Sequence, residues 1–73
     1  MIIARTVEID GRYAPAVQVD NLLFRPPDTV ALFRRHEDCY AHAESIARAL
    51  NKLSWRQVKM FVENMQWVEH GGE

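Results

Sequence analysis

The sequence predicts an α+β domain, with a three- to four-stranded antiparallel β-meander followed by two amphipathic α-helices. Three observations carry this reading. Apolar and polar residues alternate on both sides of Asp10-Gly11, the pattern of a hairpin. From Cys39 onward the apolar spacing changes to the helical period. A capping box, Ser54-Trp55-Arg56-Gln57, then announces a second helix. Nothing divides the 73 residues, which read as a single domain over 1–73. The sheet is expected over about 2–34 and the helices over about 37–51 and 55–69.

The first strand covers Ile3 to Ile9, with odd positions Ile3, Arg5, Val7, Ile9 and even positions Ile2, Ala4, Thr6, Glu8. Gly11 supplies the positive φ that a type I′ turn demands. Beyond it the alternation is cleaner, with Tyr13, Pro15, Val17 and Val19 against Arg12, Ala14, Ala16, Gln18 and Asp20. Proline cannot donate to a ladder, so Pro15 predicts a bulge or a sheet edge near the start of this strand. Asp20-Asn21 marks a second turn, and Leu22-Leu23-Phe24 an extended piece that Arg25-Pro26-Pro27-Asp28 breaks. Val30 to Phe33 reads as a last, central strand. The odd residues are expected to face the core. That leaves Ile2, Ala4, Ala14 and Ala16 outside, either tolerated in water or covered by a helix or partner.

In the first helix Cys39, Tyr40, Ala43, Ile46, Ala47, Leu50 and Leu53 fall in one arc of about 140°. Glu37 and Asp38 suit the positive end of its dipole, and Glu44 and Arg48 pair at i,i+4. In the second, Leu53 and Val58 have the spacing of a hydrophobic staple. Trp55, Val58, Phe61, Val62, Met65 and Val68 make the apolar arc, with Gly71-Gly72 as the stop.

Composition excludes several classes. Hydrophobic residues are 48% and charged residues 26%, a globular balance rather than a disordered one. No apolar run exceeds four residues, as in Val30 to Phe33, so no membrane span is expected. The opening Met1-Ile2-Ile3-Ala4-Arg5 has no signal-peptide pattern. The one cysteine, Cys39, fits a reducing cytoplasm. Net charge is −1, poor for neutralising phosphates, so nucleic acid is not expected as the main partner. Seven of the nine bases are arginine, a residue favoured where proteins meet proteins.

No motif points to catalysis. His36, Cys39 and His42 have a metal-like spacing, but on a helix they fan out by about 60° per step. The preferred reading puts Cys39 in the core with the histidines at its rim, and no metal, cofactor or catalytic residue is expected. Glu37-Asp38 point about 100° apart on a helix, and no phosphate-cradling glycine loop exists. The notable feature is on the second helix. Met60 and Trp67 stand seven residues apart, opposite the core stripe, with Arg56 and Glu63 beside them. Arg56, Met60, Glu63 and Trp67 therefore form the expected partner-binding patch, with Arg5, Arg12, Arg34 and Arg35 as steering charges. A rival reading makes Arg34, Arg35, Arg48, Lys52, Arg56 and Lys59 a nucleic-acid surface. A homodimer through the outer sheet faces or the Trp67 patches is a third.

The stretch from Phe33 to Asn51, a strand ending in phenylalanine followed by an alanine-rich helix, resembles small phage and prophage proteins. Residues 2–51 also resemble the sheet-plus-helix arm-binding and AP2-type DNA-binding domains of integrases. Those domains use a sheet face rich in Arg, Lys and aromatics, whereas the face here offers Thr6, Glu8, Ala14, Ala16, Gln18 and Asp20. By length and architecture the chain is similar to phage-encoded inhibitors of bacterial RNA polymerase, and in size to anti-CRISPR proteins. The resemblance implies a non-enzymatic protein in the host cytoplasm that binds a larger bacterial machine, RNA polymerase among the candidates, and inhibits or redirects it.

Overall fold

The structure, a computed structural model, describes residues 1–27 and 32–70. Strands β1 (Ile2–Ile9), β2 (Arg12–Val19) and β3 (Leu22–Arg25) are followed by helices α1 (His36–Leu50) and α2 (Trp55–Asn64) and a short strand β4 (Val68–Glu69). The strands form one antiparallel sheet in the order β1-β2-β3-β4. The α+β class and its two helices are as the sequence predicts. The fourth strand is not. It is Val68–Glu69, at the C-terminal end of the chain, where the sequence predicts no strand. Val30 and Ala31 lie outside the described residues; Phe33 makes an isolated bridge to Tyr13, closed by backbone hydrogen bonds of 2.8 and 2.7 Å.

Both hairpin turns obey local backbone chemistry. Asp10 (φ 52°) and Gly11 (φ 78°) supply the two positive φ values of a type I′ turn. Asp20 (φ 55°) opens the second. Pro15 causes no bulge, because β1 and β2 pair in continuous register from Ile2–Val19 to Ile9–Arg12. Tyr13 exchanges its backbone bonds with Phe33, on the side of β2 away from β1. Pro15, two residues on, aims its missing N–H the same way, so the β1 ladder never needs it. The β2–β3 ladder stops at Val17–Phe24. Continued two residues further, it would set Pro15 opposite Pro26, where neither residue can donate.

The core joins the sheet to both helices. Ile2, Ala4, Val17 and Val19 pack with Ala43, Ala47 and Leu50 of α1, Val58 of α2, and Trp67. This corrects the expected faces of β1, since Ile2 is 8% exposed and Ile3 43%. The reason is geometric. A two-residue turn pairs positions of opposite parity on β1 and β2, as in Ala4–Val17 and Arg5–Ala16, so the odd sets of the two strands lie on opposite faces. Val7, Ala14 and Ala16 are buried as well, on the other face by the same alternation. In α1, Tyr40 and the following Leu53 are exposed rather than buried, while Cys39, Ala43, Ala47 and Leu50 keep their places.

Two polar devices fix the ends. The Asn51 side chain accepts a hydrogen bond from the Ile2 N–H (2.8 Å) through Oδ1 and donates one to the Ile2 carbonyl (2.9 Å) through Nδ2. Its amide thus copies one rung of a β-ladder and ties the end of α1 to the start of β1. The second device ends α2 a turn and more before the expected Glu69; Gly71 and Gly72, the expected stop, lie outside the described residues. Gln66 adopts φ 58°, its N–H bonds to Glu63 O (3.1 Å), and the Trp67 N–H bonds to Val62 O (3.0 Å). This is a Schellman motif, with glutamine in the place that glycine usually takes.

Two stability changes are expected. Gln66→Gly removes a left-handed cost of about 1–2 kcal/mol per residue against a glycine entropy cost of about 0.5–1 kcal/mol. Thermal unfolding of this variant should therefore shift upward by a few degrees. Asn51→Ala deletes two hydrogen bonds, each contributing about 0.5–1.5 kcal/mol. Its urea midpoint should fall, and an unchanged midpoint would show that the clamp is idle.

Candidate partner-binding groove

The capping box at the start of α2 forms as the sequence predicts. Ser54 Oγ accepts from the Gln57 N–H (3.3 Å), and Gln57 Oε1 accepts from the Ser54 N–H (3.0 Å). It fixes the direction in which the helix leaves the chain, and Trp55 is the first residue to follow. Val58 is buried, with Phe61 and Val62 half-buried against the core. The middle of α2 is therefore seated on the sheet, while its N-terminal end overhangs Leu22, where β3 begins.

The overhang leaves a groove of about 320 Å³. Val19, Leu22 and Phe24 supply its sheet side, and Trp55, Val58, Lys59, Val62 and Glu63 its helix side. Trp55 is 59% exposed, and Leu22 beside it is exposed too. Lys59 and Glu63, one helical turn apart, put one charge of each sign on an otherwise apolar wall. The arrangement can accept apolar side chains and offer an indole N–H to an acceptor.

The expected Met60–Trp67 stack does not exist. Trp67 is 9% exposed and belongs to the core, its ring meeting Phe61 edge-on at 5.6 Å. The helical spacing that would have joined it to Met60 ends at Asn64, and the left-handed Gln66 turns the next residue inward. The other expected contact residues on α2, Arg56, Met60 and Glu63, are exposed, and Glu63 lines the groove. Trp55, which the periodicity assigned to the core, is the tryptophan left outside. Its place at the first helical position was the available signal, since the seat of a helix on a short sheet need not extend to its first turn.

The arginines are dispersed. Arg5 donates from Nε to Gln18 Oε1 (2.9 Å) on β2. Arg12, Arg34 and Arg35 are exposed. Arg35 and Lys52 stand at opposite ends of α1, about 22 Å apart for a helix of this length. The three residues of metal-like spacing turn to separate neighbours. Cys39 is fully buried, and burial pushes its thiol pKa up. His36 Nε2 lies 3.0 Å from Thr6 Oγ1, with its ring edge-on to Tyr13. The ring of His42 rests 5.4 Å from that of Phe33. Among the described residues no three His, Cys, Asp or Glu side chains gather where they could hold a metal ion. Among those same residues no helix is long and apolar enough to cross a membrane.

No family model, curated protein or solved structure matches the chain.

The two tryptophans should separate cleanly in an unfolding experiment. Truncating a core aromatic costs about 3–5 kcal/mol, a large share of the stability of so small a domain. Trp67→Ala should therefore lose its cooperative thermal transition or shift it far downward. Trp55→Ser should keep its midpoint close to that of the parent chain. Equal effects from both would contradict the assignment of core and surface.

Proposed function

We propose that this chain is a non-catalytic protein-binding domain that uses the α2–β3 groove as its contact surface and Trp55 as the anchor. One observation supports this above the others: a tryptophan more than half exposed beside an apolar groove, in a chain whose second tryptophan the core consumes. Tryptophan is enriched among residues that dominate binding energy, and such residues act from within apolar pockets. Exposed Met60, on the same helix, adds a side chain that adapts to differently shaped partners. The partner's matching element is an apolar ridge flanked by charges complementary to Lys59 and Glu63.

The chain's resemblance to small phage regulators suggests a larger host protein as the target, with bacterial RNA polymerase the first candidate. The action in this reading is steric or conformational, the occupation of a surface on the target.

A tagged chain immobilised with purified bacterial RNA polymerase, and in parallel with bacterial lysate, tests this reading. The wild-type chain is expected to retain a protein that Trp55→Ser, folded by circular dichroism, releases. Loss of a hot-spot anchor costs about 2 kcal/mol or more, at least a 30-fold weakening. If both baits retain the same proteins equally, the groove is not the contact surface. Retention that fails for the polymerase but holds for another protein would discard only the named target.

A further inference from the structure

We infer that β1 is an open sheet edge on which a second copy of this chain pairs antiparallel, two-fold about Thr6. The hydrogen-bond parity of the sheet, which does not involve the groove, decides which groups of β1 are open. Tyr13 bonds away from β1 to Phe33, and Ile2 bonds away from β2 to Asn51. Strand residues alternate in the side to which they present N–H and C=O. Hence Ile3, Arg5, Val7 and Ile9 serve the β2 ladder, and Ile2, Ala4, Thr6 and Glu8 face outward. Asn51 closes the rung at Ile2. Among the described residues no partner closes those at Ala4, Thr6 and Glu8.

Long edge strands in monomers are normally blunted by proline, bulges, brevity or a guarding charge. β4, at the other edge, is two residues long. β1 has eight, contains no proline or glycine, and runs without a bulge. Of its two charged residues, Arg5 is drawn back over β2 by Gln18, and Glu8 stands at the turn end of the open segment, leaving its centre unguarded.

The occupant follows from what the edge can face. The open segment runs from Ile3, beside the Asn51 clamp, to Ile9, before the turn, and Thr6 is its centre. A second copy centred there sets Thr6 opposite its equivalent, Arg5 opposite Val7, Ala4 opposite Glu8 and Ile3 opposite Ile9. No like charges oppose one another, and the Thr6 hydroxyl keeps its contact with His36 Nε2. Centring on Arg5 or Glu8 would oppose like charges. Centring on Ala4 would drive the partner into the Asn51 clamp, and centring on Val7 shortens the overlap. The open edge is therefore complementary to itself in one full-length register.

Sedimentation equilibrium of the full chain at rising concentration tests the inference, with a concentration-dependent dimer expected. Thr6→Pro removes an outward N–H that the β1–β2 ladder does not use. It should leave a folded monomer, with at least a tenfold weaker association. Should that variant misfold, Thr6→Cys supplies a second test. Oxidised at concentrations where the dimer forms, it should cross-link to its own equivalent, and Glu8→Cys should not. A chain that stays monomeric at millimolar concentration overturns the proposal, as does a dimer in which Glu8→Cys cross-links as readily as Thr6→Cys. Trp55→Ser should dimerise like the parent chain, which keeps this result separate from the fate of the groove.

Discussion

The fold depends on the chain reversal at Gln66. Three strands and α1 could associate without it, but the sheet would lack β4 and the core would lack Trp67. The Schellman bonds from Gln66 and Trp67 back to Glu63 and Val62 end α2 and swing the indole onto Phe61. Three residues later the His70 N–H reaches Leu23 O at 2.7 Å and continues the β4 ladder. A left-handed glutamine is disfavoured by about 1–2 kcal/mol. Burying an indole gains more than that, since a large apolar side chain contributes about 1.5–3 kcal/mol. Packing on both sides of the turn thus holds a conformation that the residue itself would not choose.

This explains which parts of the molecule the sequence could disclose. The turn at Asp10-Gly11 and the capping box at Ser54 are local, each specified by a few adjacent residues, and both form as read. The end of α2 is a tertiary decision. Nothing in Met65-Gln66-Trp67 resembles a stop signal, because glutamine competes poorly for the left-handed position until a buried neighbour imposes it. β4 is illegible for the same reason, since a two-residue strand has no periodicity of its own. The face of β1 was different, because the information was present. A two-residue turn fixes the pairing parity, and the clean pattern of β2 then dictates that Ile2 and Ala4 face inward despite the stronger apolar look of the odd set.

The same error decided which tryptophan was assigned to the surface. A helix continued to Glu69 places Trp67 opposite the core, and its end at Asn64 returns that residue to the core; Trp55 is left outside by its place in the first turn, beyond the part of α2 that packs. The exposed tryptophan is Trp55, at the first turn of α2, and Met60 and Glu63 are exposed farther along the helix. Arg56 stays exposed on the same helix, whereas Arg5 is tied to Gln18, and Arg34 and Arg35 precede the opposite helix, α1.

The groove and the β1 edge differ in what they ask of a partner. The groove supplies shape and apolar area, so its selectivity rests on side chains that fill it beside Trp55. The edge supplies backbone donors and acceptors, which any extended strand can meet, so its selectivity rests on register and on the charges of Arg5 and Glu8. Paired through Ile3–Ile9 alone, two copies bury one narrow seam, and edge pairing without a large apolar face gives modest affinity relative to interfaces of about 800 Å² per partner. A second copy would use the β1 edge, while the groove is walled by α2 and by β3 on the far side of β2. Two copies joined at β1 would each keep a groove free, and a dimer could then engage two sites on one target with a gain set by their effective concentration rather than by any new contact.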